Sequence, residues 1–199
     1  MKVGLFGGSF DPIHSGHIEP VKAARRMLGL ERVIYLPTAV PPHKPGRHLA
    51  PPLARYAMVE IALLPEEGLY VSPHELTLGR PAYTVETLEH FQRQLPAAEL
   101  FLLVGSDSFL DLPHWYRWRD VVAAARVVVL ARPGWEMEAP PDGDLAALMA
   151  SGRAHLLRQL PCEVSSTRLR EMLGRGERPP AGWMADLVVD FADKYSLYR

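Results

Sequence analysis

The sequence predicts an α/β protein built on a doubly wound parallel sheet. Two observations carry this: short runs that are apolar throughout, and intervening stretches whose apolar residues recur every three to four positions. A strand with no polar face must be covered on both sides, and its alternation with amphipathic helices is the pattern of right-handed β-α-β crossovers.

Val3 to Phe6 is the first run; it stops at Gly7 and Gly8, and "HIEPVKAARRMLG" (17–29) follows with helical spacing. Val33 to Leu36 is the second strand. It feeds "PTAVPPHKPGRHLAPP" (37–52), whose length without periodicity marks a functional loop. "PPLARYAMVEIALL" (51–64) reads as a helix and Leu69 to Val71 as the third strand. In the helix "TVETLEHFQRQL" (84–95), Val85, Leu88, Phe91 and Leu95 form the packing stripe. Leu100 to Val104 and Val127 to Leu130 are the fourth and fifth strands, with "DVVAAA" (120–125) closing a helix between them.

After a weakly patterned passage (131–143), "DLAALMA" (144–150) is helical, "HLLRQL" (155–160) a short strand and "SSTRLREMLG" (165–174) a helix. The last helix is expected from about Gly182 to Lys194, docked through Trp183, Leu187, Val188 and Phe191. The 199 residues suit one domain over 1–199, with about 160–199 as its helical extension.

Lys plus Arg is 22 against 23 Asp plus Glu, a net charge of -1, which argues against broad nucleic-acid binding while leaving room for a local cationic pocket. Cys162 is the only cysteine, which excludes an internal disulfide and a four-thiolate zinc site and makes the cytoplasm the expected compartment. No cleavable signal pattern opens the sequence, and no apolar run approaches the ~18 residues of a membrane span.

The sharpest local signal is "GGSFDPIHSGH", Gly7 to His17, directly after the first strand. Gly7 and Gly8 admit a sharp turn or a close phosphate, since neither carries a Cβ. Ser15 and Gly16 are acceptable helix starts, and the amides there form an anion site. His14 and His17, three apart, can face one ligand. With His17 as the cap, Pro20 falls in the first turn and sacrifices no intrahelical bond. The turn lacks the Gly-Lys-Ser/Thr of a P-loop and the three glycines of a dinucleotide fingerprint, and Ser9 lacks the nucleophile elbow. Zinc ligation and a purely structural role for the histidines are the other readings; donors to a nucleotide phosphate fit best.

The second signal is "SSTRLREMLG". Ser165, Ser166 or Thr167 can cap this helix, while Arg168 and Arg170 put positive charge in its first turns, against the helix dipole. An anion sharing the site removes the conflict, and hydroxyls, amides and a guanidinium together suit a triphosphate. Arg168 reads as solvated; the reading of Arg170 as the ligand rests in part on the resemblance that follows.

At these two motifs the chain resembles the nucleotidyltransferase superfamily marked by H-x-G-H and a late S-S-T-x-x-R. Within it, the chain is similar to the bacterial nicotinate-nucleotide adenylyltransferases. "PPHK" (41–44), "YTVETL" (83–88), "GSDSFLDLPHWYRW" (105–118) and "ARPG" (131–134) extend the resemblance over nearly the whole chain. It implies a Rossmann-like nucleotidyltransferase fold and transfer of AMP from ATP to nicotinate mononucleotide, forming nicotinate adenine dinucleotide and pyrophosphate in NAD biosynthesis. It assigns His14, His17 and Arg170 to catalysis on the ATP phosphates, with Gly7, Gly8, Ser9, Phe10, Gly105, Asp107, Ser165, Ser166 and Thr167 completing the ATP site.

For the acceptor the resemblance implies Trp115 stacking on the pyridine ring and Thr84 with the backbone near Tyr116 receiving its carboxylate. His43 and Lys44 lie near its phosphate, with Tyr83 and Arg132 in support. Ordinary packing is the other reading of Trp115 and the favoured one for Trp118. Magnesium should bridge phosphate oxygens, with Asp107 touching it directly or through water. Two positions depart from the family pattern: Val164 where isoleucine is common, and His114 where a permanent cation is frequent. Nicotinamide mononucleotide as preferred acceptor, pantetheine-phosphate adenylyl transfer and a non-catalytic nucleotide sensor are the alternatives.

Overall fold

The structure is a computed structural model, and it describes residues 1–39, 49–131, 143–158 and 164–199. Its strands are β1 (Lys2–Gly8), β2 (Arg32–Pro37), β3 (Leu69–Val71), β4 (Glu99–Gly105), β5 (Arg126–Ala131) and β6 (Ala154–Arg158). Its α-helices are α1 (Ser15–Leu28), α2 (Pro52–Leu63), α3 (Thr84–Gln94), α4 (Ser106–Leu110), α5 (Trp118–Ala124), α6 (Gly143–Ala150), α7 (Ser166–Gly174) and α8 (Asp186–Lys194). The six strands form one sheet in the order β3-β2-β1-β4-β5-β6, with β1 parallel to β4, β4 to β5 and β5 to β6. The strand order therefore reverses between β1 and β4, the doubly wound arrangement that the apolar runs predict.

The chain divides into two compact units, each assembled from three separate stretches. The first comprises Met1–Phe6, Pro20–Val33 and Ala82–Cys162. Val3, Leu5, Val127, Val128 and Val129 are fully buried there, because β1 and β5 present apolar side chains on both faces. α3 packs against α5, and Val85, Leu88 and Phe91 are buried along α3. Leu95 lies one residue past the end of α3 and is half-buried.

The second unit comprises Gly7–Glu19, Ile34–Pro81 and Glu163–Arg199. α2 packs against α8 in this unit, with Met58, Val59, Ala62 and Leu63 buried on one helix and Val188, Val189 and Ala192 on the other.

Two helix starts differ from the sequence expectation. The last helix begins at Asp186 rather than near Gly182, since Gly182 takes a left-handed φ of 81° that no α-helix accommodates. Its buried face changes accordingly: Leu187 is 64% exposed, and Val189 and Ala192 stand where Trp183 and Leu187 were expected. α1 begins at Ser15, so His17 is not its cap and Pro20 lies inside the helix. The Ser15 N–H donates to the Trp183 carbonyl at 2.9 Å and the His17 N–H to the His14 carbonyl at 2.8 Å. Partners outside the helix thus satisfy its first amide and extend it toward the amino terminus. Pro20 then withholds from the Gly16 carbonyl the amide that an ordinary residue would supply.

Candidate active site

In the second unit the two outer motifs of the sequence meet. The chain leaves β1 through Gly7 and Gly8 and turns at Phe10, whose φ is 45°. A Cβ on Gly8 would stand 3.0 Å from the Phe10 ring, which would have to give way by a few tenths of an ångström; one on Gly7 would meet nothing within 4 Å. Phe10 is buried and serves as a floor: the His17 ring stands edge-on to it at 5.3 Å between centroids, and Tyr35 lies at 5.5 Å.

His14 and His17 lie with their rings 3.8 Å apart and tilted by 33°. The backbone N–H of His14 donates to Nδ1 of His17 at 3.3 Å. A nitrogen that accepts cannot carry a proton, so the His17 proton resides on Nε2. The Tyr35 hydroxyl donates to the His17 carbonyl at 3.0 Å, and burial holds this phenol well above its usual range, so it stays a neutral donor.

The late motif closes on the same loop. Ser165 caps α7, its hydroxyl accepting from the Arg168 N–H at 3.3 Å. The Ser166 hydroxyl donates to the Pro12 carbonyl at 3.0 Å, which ties the helix start to the loop and uses the one proton this side chain could offer a phosphate. Arg170 reaches back one turn: Nη1 donates to the Asp11 carbonyl at 2.6 Å and faces Asp11 Oδ2 at 3.5 Å, while Nη2 donates to the Thr167 hydroxyl at 3.2 Å. Arg168, expected to be solvated, is exposed but lies over the Trp183 ring at 4.5 Å.

Three residues of this assembly escape the sequence reading. Asp11 is only 1% exposed; its Oδ1 accepts from the Ala50 N–H and the Tyr198 hydroxyl, both at 3.0 Å. Arg55 is fully buried on α2 and donates to the carbonyls of Ser9 (2.6 Å), Thr38 (2.7 Å), Ala50 (3.0 Å) and Ala39 (3.2 Å). Burial lowers the proton affinity of its guanidinium, and the nearby Asp11 opposes that shift. A charge on the apolar stripe Arg55, Met58, Val59, Ala62 is the one sequence signal that could have found it. Asp11 sits in the first motif without periodicity to single it out, and Tyr198 carries no signal at all.

The remaining site candidates among the described residues lie in the first unit. Gly105 ends β4 and Asp107 opens α4 with an exposed carboxylate; a Cβ on Gly105 would stand 2.6 Å from Asp107 Oδ1. Thr84 is the first residue of α3, after the exposed Tyr83, whose ring lies 4.6 Å from that of Tyr116. Trp115 is half-buried, and its indole N–H is buried with no hydrogen-bond partner among the described residues. His114 faces Asp111 at 3.3 Å at the surface, and Trp118 begins α5 beneath the Arg119 guanidinium at 4.5 Å. His43, Lys44 and Arg132 lie outside the described residues.

Among the described residues no group of three or more His, Cys, Asp or Glu side chains is arranged to hold a metal ion, and no helix is long and apolar enough to cross a membrane.

The cytidylyltransferase-like family pattern matches residues 5–172. A curated relative from Aeromonas salmonicida is 37% identical over 99% of this chain and 97% of its own length. Another, from Laribacter hongkongensis, is 39% identical over 99% of this chain and 94% of its own. Both bear the name "Probable nicotinate-nucleotide adenylyltransferase". Among solved structures, the Plasmodium falciparum nicotinic acid mononucleotide adenylyltransferase complexed with NaAD superposes with a TM-score of 0.79 at 17% identity, covering 99% of this chain and 97% of that one. At that identity the superposition shows a shared fold.

Proposed function

The chain belongs to the cytidylyltransferase-like family, among its nicotinate-nucleotide adenylyltransferases, and we propose from this premise how its own residues perform adenylyl transfer to nicotinate mononucleotide. An oxygen of the acceptor phosphate attacks the α-phosphorus of ATP, the bond from that phosphorus to the bridging oxygen breaks, and pyrophosphate leaves. The attacking oxygen is already an anion, so no general base is needed. Catalysis rests on alignment and on donors aimed at the charge that builds on the transferred and leaving phosphates.

The observation that carries this reading is the junction of the two outer motifs at Asp11, which puts Arg170 and the start of α7 on the loop that presents His14 and His17. His17 Nε2–H and His14 serve the ATP phosphates. The Arg170 fork, the Thr167 hydroxyl and the first amides of α7 serve the distal ones. Gly7, Ser9 and Gly105 are further residues assigned to the nucleotide. Mg2+, when bound, neutralises phosphate charge. The single exposed carboxylate of Asp107 fits an ion held mainly by phosphate oxygens and water. Trp115 orients the pyridine ring, and Thr84 with the backbone at Tyr116 receives its carboxylate; His43, Lys44, Tyr83 and Arg132 support the acceptor. The cytoplasm is the compartment this biosynthetic role expects.

Product formation from ATP with nicotinate mononucleotide, nicotinamide mononucleotide and phosphopantetheine supplied side by side tests the reaction. The acid should win over the amide by about 10- to 200-fold in kcat/KM, since an amide NH2 among donors leaves one mismatch costing about 1–3 kcal/mol. The Trp115→Ala variant should lose efficiency with both pyridine nucleotides. Equal efficiencies with acid and amide, or a preference for phosphopantetheine, would reject the assignment.

Arg170→Lys tests the donor side. Lysine keeps the charge but loses the planar fork that engages two oxygens, so KM for ATP should rise about tenfold with KM for the acceptor unchanged. Unaltered ATP kinetics would remove Arg170 from the phosphate site.

A further inference from the structure

We propose that Asp11 and Tyr198 are positioning residues that preset the Arg170 guanidinium for the triphosphate, so that the segment following α8 helps set ATP affinity. This rests on the assignment of Arg170 to the ATP phosphates.

The Asp11 carboxylate is divided in function between its two oxygens. Oδ1 accepts from the Ala50 N–H and the Tyr198 O–H, both at 3.0 Å, and these two donors fix the plane of the carboxylate. Oδ2 accepts no hydrogen bond among the described residues and stands at an ion-pair distance of 3.5 Å from Arg170 Nη1, while the backbone carbonyl of the same residue accepts from that nitrogen at 2.6 Å. Arginine loses much rotamer freedom when it grips an anion, and a side chain already fixed has less to lose when ATP arrives.

The charges of the cluster leave Arg170 able to bind. Asp11 stands opposite two guanidiniums, Arg170 and the buried Arg55, so the three side chains together carry a surplus positive charge. Asp11 therefore orients Arg170 without cancelling the field that an incoming phosphate feels. Tyr198 acts as a donor throughout: burial, and then the neighbouring carboxylate, push its phenol far above the ordinary range.

Packing brings the tyrosine to this place. Its backbone lies at a left-handed φ of 78°, and its carbonyl passes so near Gly174, at the end of α7, that a Cβ there would stand 2.9 Å from it. The helix that carries Arg170 and the segment that carries Tyr198 are thus fitted to each other.

The test is the Kd of a non-hydrolysable ATP analogue, titrated calorimetrically into wild type, Tyr198→Phe, Arg170→Ala and the double variant, with KM for nicotinate mononucleotide measured in parallel. Tyr198→Phe should weaken the analogue about 3- to 10-fold, the worth of one such hydrogen bond, and leave KM for the acceptor unchanged. In the Arg170→Ala background the same change should have no further effect, because the positioned group is gone. Irreversibly misfolded protein would lower the titrated stoichiometry and leave Kd in place, and a thermal melt matching wild type excludes a reversible loss of folded protein, which alone would weaken the apparent Kd. Unchanged affinity in Tyr198→Phe, or equal weakening in both backgrounds, overturns the proposal while the phosphate role of Arg170 stands. Unchanged affinity in Arg170→Ala overturns that role and the proposal with it.

Discussion

His17→Ala is expected to lower kcat by about 100- to 1,000-fold, the usual cost of removing one preorganised donor from a developing anion. The reason lies in the loop rather than in the imidazole alone. The His14 amide occupies Nδ1, which places the His17 proton on Nε2, and the Tyr35 hydroxyl donates to the His17 carbonyl. The donor is therefore oriented before substrate binds and needs no rearrangement as charge builds on the phosphates. Steady-state rates with saturating ATP and acceptor, on protein whose near-ultraviolet circular dichroism matches wild type, check the prediction. A folded variant with wild-type kcat would defeat the assignment. His17→Gln, which keeps an N–H near the same place, should fall between the two.

Arg55→Met should produce the largest loss of stability of any single change considered. Methionine fills much of the volume, so the effect reports hydrogen bonding rather than an empty space. Four backbone carbonyls, of Ser9, Thr38, Ala39 and Ala50, lose their donor together, and Asp11 loses a neighbouring positive charge. Methionine leaves those acceptors without a donor, and breaking a buried charge network of this kind costs about 3–5 kcal/mol in all. For a chain of this length that lowers Tm by about 6–20 °C. Arg55→Lys should recover only part of this, since one ammonium cannot serve acceptors spread around a planar fork. A Tm for Arg55→Met within about 2 °C of wild type would show that the carbonyls find other partners.

The fold was legible because its signals are local. Runs such as Val127 to Leu130 can only be strands covered on both faces, and Val85, Leu88 and Phe91 repeat at the helical period. The two outer motifs stood out for the same reason: glycines, paired histidines and an arginine at a capped helix start are residue types that suit an anion, and they fall within a few residues of chain. The helix starts were not, because they depend on distant partners. The Trp183 carbonyl draws α1 back to Ser15, and the left-handed Gly182 delays α8 to Asp186.

What only the tertiary structure decided is how the site is held. Arg170 and Asp11 are 159 residues apart and Tyr198 and Asp11 are 187 apart, a separation at which no periodicity links the partners. Arg55 reads as a misplaced charge until the backbone carbonyls of three separate turns are seen converging on it. Sequence by itself nominated the groups for a triphosphate, since residue type and near spacing mark their chemistry. Their orientation is set by buried hydrogen bonds whose acceptors are mainly backbone carbonyls, and every residue carries a carbonyl, so the sequence has no mark for the few that the fold turns inward.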